Sequence, residues 1–419
     1  MDWFVTLRTI SYTFATLMLV KYFVFLMLAP FYPLKENLRK IRMAKRRKEH
    51  GYAPYQPLVT VIIPAWNEEV GLQRTIRSVL NSNYKKFEII IVNDGSTDRT
   101  DELVRKLINS KDIGGKRLRY ISKSNGGKGT ALNVGIERAR GEIIFTLDAD
   151  SMLAPSALRK IVNYFADETI AAVVGNVKVG TNYTILGYLQ QLEYQFGFYF
   201  KRAHAVLGAE YIFGGANSAF RKSAVFDQLG HYDTANKTED IEMSMRTRFY
   251  GLRCTYAEDA VVYTEGASSV MGLINQRLRW KKGRFDTFGK YRMMFFSFNR
   301  NHNKALSFFV LPFSLLAEFQ LLFEPIAIAL LVTYSVISGD YISLALGSLF
   351  VFTLYVVNAL FAHEGRPKLI LSFIFTWPLF YILVWIEYVA LIKSIQLIFR
   401  GTDVEWQNWS REGLIGGEQ

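Results

Sequence analysis

The stretch SNGGKGTALNVGIERARGEIIFTLDADS, Ser124–Ser151, decides how the rest of the chain is read. Glycines surround a lysine in Gly126-Gly127-Lys128-Gly129, and a helical pattern follows from Thr130 to Ala139. Glu142–Leu147 (EIIFTL) is a short apolar run of strand type, and it leads directly into Asp148 and Asp150. Loop, helix and strand in that order make one crossover unit of an α/β sheet.

The same alternation extends toward the N-terminus. Val59–Trp66 (VTVIIPAW) is a continuous, β-branched apolar run, the pattern of a strand buried on both faces. It stops at Asn67-Glu68-Glu69, and a helical pattern runs on to Leu80. Phe87–Val92 (FEIIIV) is the second strand and stops at NDGSTD, Asn93–Asp98; Arg119–Ser122 is the third. The alternation predicts a doubly wound sheet with right-handed crossovers. Ligands bind such sheets beyond the carboxyl ends of the strands. Those ends carry Glu68, Asp94, Asp148 and Asp150. Ser96 and Asp98 read as helix caps, whereas acids at three converging strand tips read as a site.

Composition places this domain beside a membrane. The chain has 419 residues, 50% of them hydrophobic, and the apolar residues cluster at 10–33, 306–338, 342–361 and 369–399. Each cluster reaches the roughly 20 residues that a spanning helix needs. The first lacks a small-residue cleavage site and a strong basic start, and is expected to be a retained anchor. A net charge of +13 raises the possibility of a polyanion partner. The densest basic cluster, KIRMAKRRK (Lys40–Lys48), follows the first apolar segment, where the positive-inside rule places it. Nucleic acid is therefore not an expected partner, and the central domain is expected to be cytosolic. The turn SGDY (338–341) has no Lys or Arg and the turn AHEGRPK (362–368) has two, which predicts four spans in a multi-pass plasma-membrane protein. Residues 306–338, with Pro312 and Pro325, read as an interfacial helix followed by one span. The single cysteine, Cys254, excludes an internal disulfide, and five scattered histidines argue against zinc.

Asp148 and Asp150 follow a strand, where side chains alternate, so both are expected to point into one crevice. Two carboxylates there call for a cation, and oxygen-only ligands favour Mg²⁺ or Mn²⁺ shared with substrate phosphates. The Gly126–Gly129 loop suits anion contact. It has neither Walker A spacing nor a GxGxxG fingerprint. A metal-bound diphosphate outside the usual NTPase machinery fits these features.

Five motifs in order, VIIPAWNEE, IIVNDGSTD, TLDADS, TEDIEMSMR and QRLRW, resemble those of inverting, membrane-bound family 2 glycosyltransferases with a GT-A fold. The resemblance implies an α/β GT-A (Rossmann-like) cytosolic domain inserted between transmembrane helices. It divides the chain into an N-terminal anchor (1–35), the glycosyltransferase domain (36–290), an interfacial helix with about three transmembrane helices (291–400) and a tail (401–419). It implies that Asp94 hydrogen-bonds the uracil of a UDP-sugar, with Ala65 and Glu68 lining the base pocket. Lys128 would help hold the nucleotide. Asp150 would ligate the metal directly, and Asp148 would contact nucleotide and metal. Asp240 would be the general base, Gln276 and Arg279 would bind the diphosphate, and Trp280 would stack the acceptor sugar. The implied partners are a UDP-sugar donor, a growing glycan acceptor, membrane lipid, and either a small membrane subunit or a second copy of the chain.

Within that family TED, NGGKGTALN, QRLRW and WQNWSREG (Trp406–Gly413) are most similar to poly-β-1,6-N-acetylglucosamine synthases. Hyaluronan and chitin-type synthases typically carry an acidic pair and then Arg where this chain has Ile241. Hyaluronan, chitin or cellulose-type synthesis, and transfer of one sugar to a lipid, remain alternatives. So do plainer roles for single residues. Asp240 doubles as a helix N-cap, and Glu239 and Glu242 compete as the base. Trp280 reads equally as an interfacial anchor and Arg279 as a juxtamembrane cation. The loop FGGANSAFRKSA (Phe213–Ala224) lines a sugar pocket or is a strand and turn. Glu318, Glu324 and Glu387 lie in apolar segments, where acids face a cavity or a partner; Lys393 is a candidate partner for Glu387.

Overall fold

The computed structural model describes residues 2–50, 55–109, 117–180, 184–342 and 380–404, with scattered positions between 344 and 356. Its centre is an eight-stranded sheet of order β3-β2-β1-β4-β7-β6-β8-β5. Four strands are the expected parallel set: β1 (Val59–Ala65), β2 (Phe87–Asp94), β3 (Leu118–Lys123) and β4 (Ile143–Thr146). Every residue of β1, β2 and β4 is buried. Alternation splits them between two cores. Val59, Val61, Ile63, Ile89 and Ile91 face one layer with α3 (Leu72–Leu80) and α4 (Thr100–Asn109). Ile62, Ile90 and Val92 face the other, with α5 (Lys128–Arg138). Burial on both faces is what a continuous apolar strand requires.

The other half of the sheet departs from the doubly wound expectation. It is built from β5 (Ser151–Leu153), β6 (Ile170–Val179), β7 (Ser218–Arg221) and β8 (Arg253–Thr264). β7 runs antiparallel to both β4 and β6, and β5 runs antiparallel to β8, so the sheet is mixed. Between β6 and β7 the chain runs out along α7 (Ile185–Val206) and returns through the 207–217 loop.

The ends of the sheet differ in function. At the amino ends of the strands the buried Glu88 accepts from the Arg140 side chain at 3.0 and 2.8 Å and from Thr60 Oγ1 at 2.7 Å. Glu88 is thus fully engaged in tying strands together. The carboxyl ends carry the candidate site.

The helices α1 (Asp2–Leu28) and α2 (Tyr32–His50) dock on the domain. Tyr22 and Phe25 pack against Phe200 of α7, with centroids 5.8 and 5.6 Å apart, and Tyr32 Oη donates to the Tyr256 carbonyl at 2.8 Å. Further along the chain are α6 (Ala157–Val162), α8 (Phe226–Leu229), α9 (Glu239–Phe249) and α10 (Val270–Lys290), then α11 (Leu311–Ser338) and α12 (Phe380–Arg400). Leu306–Ser338 and Tyr381–Arg400 are long and apolar enough to cross a membrane. Leu306–Ser338 is one continuous helix that begins with a π-helical turn at Leu306–Val310, so no break separates an interfacial helix from a span. Most of the expected 342–361 span, the 362–368 turn and the Trp406–Gly413 motif lie outside the described residues.

Candidate active site

The tips of β1 and β2 are laced to each other. Asn67, held at φ 55°, donates its N–H to Ser96 Oγ at 2.9 Å and accepts from Thr97 N at 2.8 Å. Asp98 accepts from Glu69 N at 3.1 Å and from Thr100 N at 3.0 Å, so the cap reading of Asp98 holds. Beside this lacing lie Ala65 and the buried Glu68, whose own N–H donates to Thr100 Oγ1 at 2.9 Å.

Asp94 closes β2 and holds the glycine loop. Its carboxylate accepts from Gly126 N at 3.0 Å and Gly127 N at 2.7 Å, and pairs with Lys123. Gly127 sits at φ 89°, a conformation that costs glycine little, and Lys128 opens α5 directly after it.

Lys128 is the hub of the site. Its Nζ lies 2.7 Å from Asp148 Oδ1 and 3.4 Å from Glu239 Oε1. Burial works against its charge, but Asp148, Glu239 and Asp240 outweigh burial and raise its pKa well above the ordinary lysine range. Burial also raises the Glu239 carboxyl above its usual value, although the Lys128 charge opposes that shift. Asp240, half-buried in the first turn of α9, accepts from Gly215 N at 2.9 Å and from its own helix at Ile241 N, 2.8 Å. Gly215 lies against the pair: a Cβ there would sit 2.4 Å from Lys128 Nζ and 3.3 Å from Asp148 Oδ1. Glu242 leaves the contest for the base. It is fully buried among Arg246, Lys290 at 2.7 Å and Tyr291 Oη at 2.6 Å.

Asp148 and Asp150 do not follow strand alternation. β4 ends at Thr146, and Ser151 N donates to the Asp148 carbonyl at 3.1 Å, which closes a tight turn before β5. A turn replaces the pleat, so the carboxylates take different neighbours. Asp148 meets Lys128, while Asp150 Oδ1 accepts from Ser151 Oγ at 3.0 Å and Thr264 Oγ1 at 3.4 Å. Both stay partly exposed. Two hard carboxylates are the donor set that Mg²⁺ or Mn²⁺ takes when substrate phosphates and water fill the other positions. Among the described residues no group of three His, Cys, Asp or Glu side chains could form a protein-only cage.

The QRLRW motif lies on α10. Gln276 is buried, and its Oε1 has no hydrogen-bond partner among the described residues. Arg279 and Trp280 are half-buried. One face of the Trp280 ring is covered by Arg277, whose guanidinium carbon lies 4.3 Å from the ring centroid. Tyr194 of α7 lies beside this platform. Its ring centroid lies 6.5 Å from that of Trp280, burial pushes its phenol up to about 12, and Asp150 and Asp148 add to that shift. Tyr194 falls in no motif, and Arg277 lies inside QRLRW at a position to which the resemblance assigns no role. Gly215 sits in the Phe213–Ala224 loop. Glu387 does not take Lys393; it pairs with Arg277 at 3.0 Å and Lys281 at 2.7 Å.

Residues 60–227 match the family model "Glycosyl transferase family 2". The poly-beta-1,6-N-acetyl-D-glucosamine synthase of Staphylococcus aureus (strain COL) is 34% identical over 248 residues, covering 58% of this chain and 59% of that protein. The match thus spans about three-fifths of that relative. The synthase of the same name from Staphylococcus epidermidis is 28% identical over 351 residues, 80% of this chain and 82% of that protein. Among solved structures, the mannosyltransferase PcManGT from Pyrobaculum calidifontis, in complex with GDP-Man and Mn²⁺, superposes with a TM-score of 0.60. It covers 90% of this chain and 99% of that chain at 20% identity, a likeness of fold.

Proposed function

We propose that this chain, whose residues 60–227 form a glycosyl transferase family 2 domain of GT-A type, is a membrane-embedded inverting glycosyltransferase that polymerises a UDP-activated sugar. UDP-N-acetylglucosamine is the donor and a β-linked polysaccharide the product, as the names of the two staphylococcal relatives suggest. The observation that carries the reading is the single cluster of Lys128, Asp148, Glu239, Asp240 and Gly215 at the carboxyl ends of the strands.

In this reading Asp150 and Asp148 hold Mg²⁺ or Mn²⁺, which when bound neutralises charge on the diphosphate leaving group. Lys128 and Arg279 add fixed positive charge where that negative charge develops. Asp94 keeps the glycine loop in register beside the base pocket formed with Ala65 and Glu68. Asp240 accepts the proton of the acceptor hydroxyl as the new C1–O bond forms and the C1–O bond to the diphosphate breaks. One base and no covalent nucleophile mean a single displacement, hence inversion. The acceptor sugar stacks on Trp280, on the face away from Arg277, with Gln276 beside it.

The test supplies the full chain in lipid with separately labelled UDP-sugars and digests the product with linkage-specific glycosidases. Release of UDP and a polydisperse polymer from UDP-N-acetylglucosamine is the expected outcome. One glycolipid species would replace the polymerase reading with single transfer. No turnover of any UDP-sugar would overturn the reading.

A further inference from the structure

Helix α10 presents two adjacent stripes. The first is Gln276, Trp280, Gly283 and Thr287, at helical spacing i, i+4, i+7 and i+11. This stripe meets the loop that carries the proposed base. A Cβ at Gly283 would lie 1.9 Å from Thr238 Oγ1, and Asn236 Nδ2 donates to Thr287 Oγ1 at 3.2 Å. Thr238 is the N-cap residue of α9, directly before Glu239 and Asp240.

The second stripe is Arg277, Lys281 and Arg284, one position round the helix from the first. It meets carboxylates on three other helices. Arg277 contacts Glu193 of α7 at 2.6 Å and Glu387 of α12 at 3.0 Å. Lys281 contacts Glu387 at 2.7 Å and Glu318 of α11 at 2.8 Å. Arg284 contacts Glu318 at 2.6 Å. The contacts form one alternating ladder, Glu193–Arg277–Glu387–Lys281–Glu318–Arg284, in which each inner member bridges two partners. Glu318 and Glu387 lie within helices apolar enough to cross a membrane. Carboxylates in such segments are kept where they meet cations; Arg277, Lys281 and Glu318 are buried, while Glu193, Glu387 and Arg284 stay partly exposed and Arg284 Nε has no hydrogen-bond partner among the described residues.

We infer that this ladder positions α10 for sugar transfer, which makes Glu387 and Glu318 positioning residues that set the acceptor platform at Trp280 from the membrane helices. The inference rests on the transferase reading above. Arg277 is the link between the stripes, since it is held by Glu193 and Glu387 while it covers the Trp280 ring. The donor side of the cluster has no rung in the ladder. Lys128, Asp148 and Asp94 are held by α5 and the strand ends. Of the proposed diphosphate contacts only Gln276 and Arg279 ride on α10, so loosening the ladder acts first on acceptor binding and chain elongation and on the donor only through these two residues.

The experiment compares the full-length wild type in lipid nanodiscs with Glu387→Gln, the charge-retaining Glu387→Asp, and Glu318→Gln. UDP release without acceptor, KM for the UDP-sugar, KM for an added oligosaccharide acceptor, product length and thermal stability are measured for each. Glu387→Gln is expected to raise the acceptor KM or lower transfer on the order of tenfold and to shorten the product. Its donor KM and acceptor-free UDP release change less than its acceptor KM, Glu387→Asp recovers part of the loss, and Glu318→Gln shifts the same way. Unchanged acceptor KM and product length in both Gln variants overturn the inference. So does a parallel fall of donor binding, acceptor-free UDP release and thermal stability, because that is the mark of a merely structural network. A wild type that turns over no UDP-sugar overturns the transferase reading itself, and with it this inference.

Discussion

At the scale of single residues the proposed chemistry turns on Asp240. Its two oxygens accept from Gly215 N and Ile241 N, so the carboxylate is fixed in orientation while half-buried. Asp240→Asn preserves shape and removes the proton acceptor. It is expected to lower transfer by about 10²–10⁴-fold, with donor affinity unchanged in equilibrium titration. Glu239 is the rival, because it is buried beside Lys128 and more easily protonated than an ordinary glutamate. If Glu239→Gln abolishes transfer and Asp240→Asn does not, the base is Glu239. Asp94, Lys128, Asp148 and Asp240 were legible as candidates because each sits at a strand end, a glycine loop or a motif. Their mutual contacts were not legible, since Lys128 meets Glu239 only after α5 and α9 are brought to the same edge of the sheet.

At the scale of elements, glycines mark where segments approach too closely for a side chain. At Gly141 a Cβ would meet Thr60 N at 2.5 Å and the Leu58 carbonyl at 2.9 Å, both backbone atoms far from the site. Gly141→Ala is therefore expected to cost about 1–3 kcal/mol of stability by overpacking. At Gly215 the nearest atom is Lys128 Nζ, the end of a flexible side chain, so Gly215→Ala displaces the lysine without unseating the sheet. Melting temperatures and initial rates of the two variants should separate. Gly141→Ala lowers the melting temperature and, where folded, keeps its rate; Gly215→Ala keeps its melting temperature and loses rate. The opposite ranking would detach Gly215 from the Lys128–Asp148 cluster. The helices themselves show the limits of pattern. Lys128–Arg138 was expected from Thr130, and the earlier start puts Lys128 on the helix, where its side chain has a fixed direction.

At the scale of the whole molecule, the metal and the membrane enter together. In the proposed metal site Asp148 and Asp150 would leave most coordination positions to phosphate and water, so the metal would exchange readily when no donor is present. Stripping the protein with EDTA is expected to abolish polymer formation, and added Mg²⁺ or Mn²⁺ to restore it. Asp150→Asn should lose at least roughly tenfold at any metal concentration. Full activity in excess chelator would end the metal assignment. The α10 platform and the two apolar helices are joined chiefly through Glu318 and Glu387.

The linear chain by itself determined the parallel half of the sheet, because a run such as VTVIIPA can be buried only between two apolar layers. It also determined which acids stand at strand ends and that 306–338 is a long apolar helix, since these depend on local residue order. Tertiary structure decided the rest. The antiparallel β7 depends on pairing between distant segments, which no local pattern records. That Asp148 and Asp150 take different neighbours comes from a turn that local strand periodicity misreads. The partner of Glu387 was a choice among cations at very different sequence separations. The fold chose Arg277 and Lys281 because α10 and α12 pack side by side, whereas Lys393, six residues along α12, lies on another face of the helix.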